Sequence, residues 1–249
     1  MNVIVCVKRV PDTEARIRVD GSGTGIDTAG VKYDISPYDA FAVEAALRQK
    51  EAVGAGEITL LTLGDSSSQE TLRKGLAMGA DKAVLLTGEV TLDGLATAKA
   101  LAAELDGAEA PLFLFGVKAE DDDQSQVGPM VATLLGRPCV TGVSTFEVQG
   151  DKAVCHREVE GGSEVIEVDL PAVVCMTKGP NEPRLAALKG IMAAKKKPLE
   201  EKPAVASEAR VQLSALSEPP ARSAGRIVGE GPGAVDELVR LLREEANAL

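Results

Sequence analysis

Aromatic residues are scarce in this chain: it has no Trp, two Tyr and four Phe among 249 residues. A hydrophobic core must therefore come from Val, Leu, Ile and Ala, which dominate a hydrophobic content of 45%. The same scarcity leaves few rings to stack on a flavin or nucleobase, so a bound nucleotide would be held by backbone and polar groups. Histidine is rarer still. His156 is the single one, and its hairpin-like segment leaves no credible Ser-His-Asp or Cys-His arrangement. The four cysteines (Cys6, Cys139, Cys155 and Cys175) form no CxxC pair, which argues against zinc and for free thiols in a reducing compartment. Positive charge is also in deficit. A net charge of −11 argues against nucleic acid as a partner, because phosphates need a basic face. No stretch approaches the roughly 18 apolar residues of a membrane span. The opening MNVIVCVKRV shows no basic leader or cleavable apolar segment. A soluble, cytoplasmic protein without membrane insertion is expected. Catalytic fingerprints are missing as well: no GxGxxG follows the first strand-like run, and neither a P-loop nor GxSxG occurs.

What is present is an alternating pattern. Residues 2–7 (NVIVCV) form a continuous apolar run rich in β-branched residues, which predicts a strand buried on both faces. Residues 16–20 (RIRVD) alternate and predict a short edge strand before a glycine-rich turn at 21–25. After Pro37, Ala40, Val43, Ala46 and Leu47 share one helical face. Residues 58–63 read as a second buried strand. Ser67 and Glu70 have the offset of a capping box opening the next helix. A third strand at 83–86, a helix carrying Leu95, Ala98, Ala102 and Leu105, and a fourth strand at 112–115 complete the series. Such alternation through about residue 135 predicts an α/β fold: a doubly wound, mostly parallel, Rossmann-like sheet of the adenine-nucleotide-binding kind.

The pattern then changes. Strand candidates at 139–148, 152–159, 164–169 and 172–176 have no helices between them, which predicts an antiparallel extension joined by hairpin turns. From 199 to about Arg222 the composition is that of a linker, closed by one amphipathic helix at 234–245 with Val235, Leu238, Val239 and Leu242 as its stripe. The expected organisation is a nucleotide-binding domain over 1–198, including the extension, and an extended C-terminal arm over 199–249. The helix stripe could return to its own domain or pack on a partner.

In open α/β sheets, ligands bind beyond the carboxyl ends of the strands. Four segments meet there by topology: 7–11, 36–39, 63–65 and 116–128. The last, GVKAEDDDQSQVG, is the most unusual stretch of the chain. Its three aspartates would repel phosphate directly. They could cap the following helix, whose first N–H groups would face an anion, or accept from ribose hydroxyls, or simply form a solvated acidic loop. A second stretch, KGPNEPRLAALKGIMAAKKKP at 178–198, sets exposed leucines beside charged residues and reads either as a connection or as an anchor for a partner.

Taken together these segments resemble the β subunit of electron-transfer flavoproteins over nearly the whole chain. The resemblance rests on VKRVPD at 7–12, AMGAD at 77–81, the 121–123 triplet with Gln126 and Gly128, the hairpin REVEGGSEVIEVDLPAVVCM at 157–176, and the loop at 181–197. It implies a heterodimer with an α subunit that holds most of the redox-active FAD, and a structural AMP in this chain. The AMP site would comprise Cys6, Val7 and Lys8; Ser36, Pro37, Tyr38 and Asp39; Leu63 and Gly64; and Gly116 with Asp121, Asp122, Asp123, Gln124, Ser125, Gln126, Val127 and Gly128. It also implies a docking loop for acyl-CoA and related dehydrogenases, through Pro183, Arg184, Leu185, Leu188, Ile191 and Met192 with Leu188 as anchor. Electrons would pass on to a quinone oxidoreductase or another acceptor. The Gln-Val-Gly-Pro form at 126–129 is similar to electron-bifurcating members, which hold a second FAD in this pocket, whereas Asp122 departs from them. Besides these two readings, a stand-alone adenine-nucleotide-binding module is the third class that fits such a sheet.

Overall fold

The computed structural model describes residues 1–88, 93–221 and 224–249. They fall into two compact units, Met1–Leu216 and Ser217–Leu249.

In the first unit, Val3–Cys6 (β1), Ile58–Gly64 (β4), Lys82–Thr87 (β5) and Leu112–Gly116 (β6) are the four expected buried strands. Each is followed by a helix on one face or the other: Pro37–Val53 (α1), Ser68–Met78 (α2), Gly94–Leu105 (α3) and Val127–Leu134 (α4). Alternate residues of one strand feed opposite layers. Val3 and Val5, like Leu112 and Leu114, join the cluster under α1 and α2. Cys6, with Phe113 and Phe115, joins the cluster under α3 and α4. Burying each such Leu or Phe contributes about 1.5–3 kcal/mol, so the sheet is held from both sides without a single tryptophan. Local signals set the helix limits. Pro37 opens α1 with its φ already helical, and Gly54, at φ 73°, ends it in the left-handed conformation that glycine tolerates.

The large sheet also contains Cys139–Gln149 (β7), Lys152–Val159 (β8), Gly162–Asp169 (β9), Ala172–Met176 (β10) and Leu199–Pro203 (β11), in the order β11-β5-β4-β1-β6-β10-β7-β8-β9. A separate antiparallel pair joins Arg9–Pro11 (β2) to Tyr33–Ile35 (β3). Among the described residues, only β7–β8 and β8–β9 pair antiparallel within the large sheet.

Four local expectations are corrected. Residues 172–176 do not belong to the antiparallel extension: β10 inserts between β6 and β7, parallel to both, and all five of its residues are buried. Residues 16–20 form no strand. Val19 makes one isolated bridge to Ile26. The capping box at α2 does not form: Asp65 accepts from both the backbone N–H and the hydroxyl of Ser67, occupying the side chain that would have capped. The expected unpaired stretch begins with β11, which pairs parallel with β5 from Leu199↔Ala83 to Pro203↔Thr87. Beyond it, the expected end of the linker composition at Arg222 lies outside the described residues. The second unit contains one 3-10 turn, Pro232–Ala234, and Val235–Glu244 (α6), whose Val235 and Leu238 are exposed. The short α5, Leu188–Ala194, completes the first unit.

Candidate functional site: a strand-end cleft and an exposed loop

Strand order reverses at β1, which has β4 on one side and β6 on the other. Chains leaving the carboxyl ends of β1 and β6 therefore part to opposite faces and leave a crevice between them. A cleft of about 790 Å³, its open mouth included, occupies this position. Cys6, Val7 and Lys8 line it from β1, Leu61, Thr62 and Leu63 from β4, and Phe115 to Ala119 from β6. Asp39 enters from α1, Gly94, Thr97 and Leu101 from α3, and Asp122 with Gln124 to Gly128 from the acidic loop and the first turn of α4.

Asp39 ties this junction together. Its Oδ2 accepts the Lys8 N–H at 2.7 Å and its Oδ1 accepts the Gly116 N–H at 2.8 Å, so one carboxyl group clasps the ends of β1 and β6. Gly116 permits the clasp, because a Cβ there would strike the Asp39 carboxylate and the adjoining backbone. Burial pushes the Asp39 carboxyl up to about 7, against the pull of those two N–H donors. Burial and the Asp39 charge also push the Cys6 thiol well above its ordinary value, so it is a packed thiol and no nucleophile.

The acidic triplet is engaged by two lysines. The Lys8 ammonium bonds Asp121 at 2.8 Å and Asp122 at 2.7 Å, and Lys118 bonds Asp123 at 2.8 Å. Burial works to lower the Lys8 pKa, and its bonds to the two aspartates outweigh that and raise it. The triplet does not cap α4, since Gln126 stands at the N-cap without a side-chain cap bond. Paired to lysines instead, the loop presents a rim only partly neutralised, three aspartates against two ammonium groups. Asp123 and Ser125 adopt left-handed backbone, φ 52° and 54°, an uncommon state for residues other than glycine that re-aims the chain between them. Residues 124–128 thereby run directly into the first turn of α4, whose N–H groups lack helical partners.

Two glycines let the walls close on one another. A Cβ on Gly94 would meet the Gln126 amide, and a Cβ on Gly128 would meet the Cys175 sulfur and Phe115. Of the expected pocket residues, Ser36, Pro37, Tyr38, Gly64, Asp121 and Asp123 do not line the cleft. They stand behind it: Tyr38 under the Lys118 ammonium at 5.7 Å, and Asp121 and Asp123 on the two lysines. Leu61, Thr62, Gly94, Thr97, Leu101 and Phe115 line it without having been expected. A glycine at the start of a helix could have pointed to Gly94, while the threonines carry no sequence signal.

The second expected site is an exposed loop. Leu185 is 95% and Leu188 76% exposed, and Ile191 and Met192 are exposed beside them. Pro183 is half-buried, and Arg184 is turned inward to form ion pairs with α1. The base of the loop is rigid. Gly190 packs where a Cβ would meet the Ala77 carbonyl on α2, and Arg73 donates to the Ala194 and Lys197 carbonyls at 2.6 and 2.7 Å. Lys197 in turn donates to the carbonyls of Leu76 and Ala80. His156 is exposed on β8. Among the described residues no helix is long and apolar enough to cross a membrane.

The family model for the electron transfer flavoprotein domain matches residues 24–207. The chain is 42% identical over 253 residues to the "Electron transfer flavoprotein subunit beta" of Bradyrhizobium diazoefficiens, covering all of both chains. It is 39% identical over 261 residues to the Bacillus subtilis protein of the same name, again covering all of both. To the Mus musculus protein of that name it is 40% identical over 233 residues, 90% of this chain and 91% of the other.

Proposed function

The chain belongs to the electron transfer flavoprotein family, as a β subunit, and from that premise we propose that it binds one AMP structurally and docks the complex onto its electron donors. Its partner is an α subunit, with which it forms the heterodimer, and the redox-active FAD lies mainly on that subunit. When bound, the flavin supplies the electron-carrying step. The present chain contributes no catalytic group to it.

The observation that carries the AMP reading is the convergence of three strand ends and the first turn of α4 on one crevice at the switch in strand order. The cleft fits a mononucleotide. Gly94, Gly116 and Gly128 let its walls pack on one another, since a Cβ at each would strike neighbouring protein atoms. The N–H groups of residues 124–128 would hold the phosphate, and Leu61, Leu63 and Leu101 give an apolar wall for the base. Asp122 favours one phosphate over two, because a diphosphate would bring further negative charge beside a carboxylate already paired to Lys8.

Donors of the acyl-CoA dehydrogenase kind would be gripped through Leu185, Leu188, Ile191 and Met192, and electrons would leave to a quinone oxidoreductase or similar acceptor. The apolar stripe of α6 would dock on the α subunit, since an isolated helix of ten residues is marginal in water. A reducing compartment, the cytoplasm, suits the four free thiols. Denaturing the purified complex and identifying what it releases tests the pocket. One FAD and one AMP per heterodimer are expected. Two FAD would establish the bifurcating reading instead, and one FAD with nothing else would remove the nucleotide from this cleft.

A further inference from the structure

The loop at 178–187 has no regular structure, and Pro180 and Pro183 deprive it of two backbone donors. Left to itself, such a segment would sample many conformations, and a docking partner would have to order it at an entropic cost. Arg184 restrains it most directly. Arg184 donates from its backbone N–H to Glu44 Oε2 at 3.1 Å, from Nε to the same oxygen at 2.7 Å, and from Nη2 to Oε1 at 3.0 Å. The same guanidinium reaches Glu51 through Nη1 at 2.6 Å and Nη2 at 3.1 Å. Glu44 and Glu51 are seven residues apart on α1, two helical turns along one face, so the planar fork spans both carboxylates.

Glu44 is an unusual partner. Its side chain is 2% exposed on a helix that packs against the sheet, and Arg48 supplies a further bond at 2.8 Å. A buried ion pair is a poor way to gain stability, because desolvating two charges offsets much of their attraction and an apolar pair would serve as well. What the pair does supply is direction. The next residue, Leu185, is the most exposed large hydrophobic side chain among the described residues, and Leu188 begins α5, which is fixed to α2 at its other end.

We propose that Arg184 is the positioning residue of the docking loop: clamped to Glu44 and Glu51, it holds Leu185 and Leu188 outward in the arrangement a donor dehydrogenase meets. This rests on the docking function proposed above. The clamp makes the loop a preorganised anchor whose ordering cost is met on folding. Lysine cannot replace it, because a single ammonium cannot bridge both carboxylates with the geometry of a fork.

The test uses the intact αβ complex with an acyl-CoA dehydrogenase as donor. Arg184→Gln should raise the dehydrogenase's KM for the complex by roughly tenfold with kcat and flavin content unchanged, and Arg184→Lys should not rescue it. Glu51→Gln, which removes only the exposed half of the clamp, should raise KM by less and cannot unfold a buried site. The decisive measurement is coupling. In the Arg184→Gln background, Leu188→Ala should have a much smaller effect than in the parent, since its side chain is no longer presented. Additive effects, or an unchanged KM in Arg184→Gln when Leu188→Ala alone is impaired, would overturn the clamp while leaving the docking loop intact. A Leu188→Ala variant with unchanged KM would overturn the docking reading itself.

Discussion

Truncating Leu188 should weaken docking without weakening the fold, and the magnitude follows from its exposure. Fully burying a leucine side chain contributes about 1.5–3 kcal/mol. Leu188 is 76% exposed, so nearly all of that gain is still to be realised on contact with a partner. Scaling by that exposure leaves about 1–2 kcal/mol for Leu188→Ala, which corresponds to roughly 5- to 30-fold in affinity. The same exposure means that little is lost within the subunit, and the thermal midpoint of the complex should stay within the narrow range of surface substitutions. The assay is steady-state reduction of the complex by an acyl-CoA dehydrogenase over a range of complex concentrations. A KM raised into that range with flavin content and melting unchanged is the expected result. An unchanged KM would refute the reasoning, and so would a melting point lowered by many degrees, because either would mean that the side chain's contacts lie elsewhere.

Two further perturbations follow. The Asp39 carboxyl titrates at about 7 in the folded chain against 3.8 ordinarily, so the folded state binds the extra proton between those values and stability falls as pH rises through that window. At about 1.4 kcal/mol per pH unit the loss is at most roughly 4 kcal/mol, complete above neutrality; Asp39→Asn should flatten the slope of melting temperature against pH, and an identical slope in the variant would remove Asp39 as its source. Deleting Ser217–Leu249 should leave the first unit folding cooperatively while weakening assembly with the α subunit and retention of FAD, read by size-exclusion chromatography and flavin absorbance; unchanged assembly and flavin content would mean that α6 has no part in the heterodimer.

Strands buried on both faces announce themselves by composition, and so β1, β4 and β6 were legible from runs such as NVIVCV and LFLF. The position of β10 was not, because AVVCM says that it is buried but not between which neighbours; only the pairing with β6 and β7 decides that. At α2, Asp65 and Ser67 compete for one cap through a contact two residues long, and sequence offset alone cannot rank them. The cleft was legible through topology, since any chain leaving the ends of β1, β4 and β6 must meet at the switch in order. Thr97 and Leu101 were not, because packing decides which face of a helix such as α3 is aimed at the cleft. Arg184 read as one exposed residue among several in a docking loop. Its fork partner, Glu44, lies 140 residues away in sequence, and no local pattern joins them.

The pairing of β11 with β5 has a consequence for how the chain is made. Every other strand of the large sheet is complete by Met176, yet β5 keeps one row of backbone groups open until Leu199–Pro203 is synthesised. During that interval a nascent chain exposes an unpaired edge beside LLT of β5, a surface on which two unfinished copies can join. Glu200, Glu201 and Lys202 then close that edge with charge. Any variant or truncation that loses this short strand will show its harm first as insoluble protein during expression, well before any defect in electron transfer can be measured.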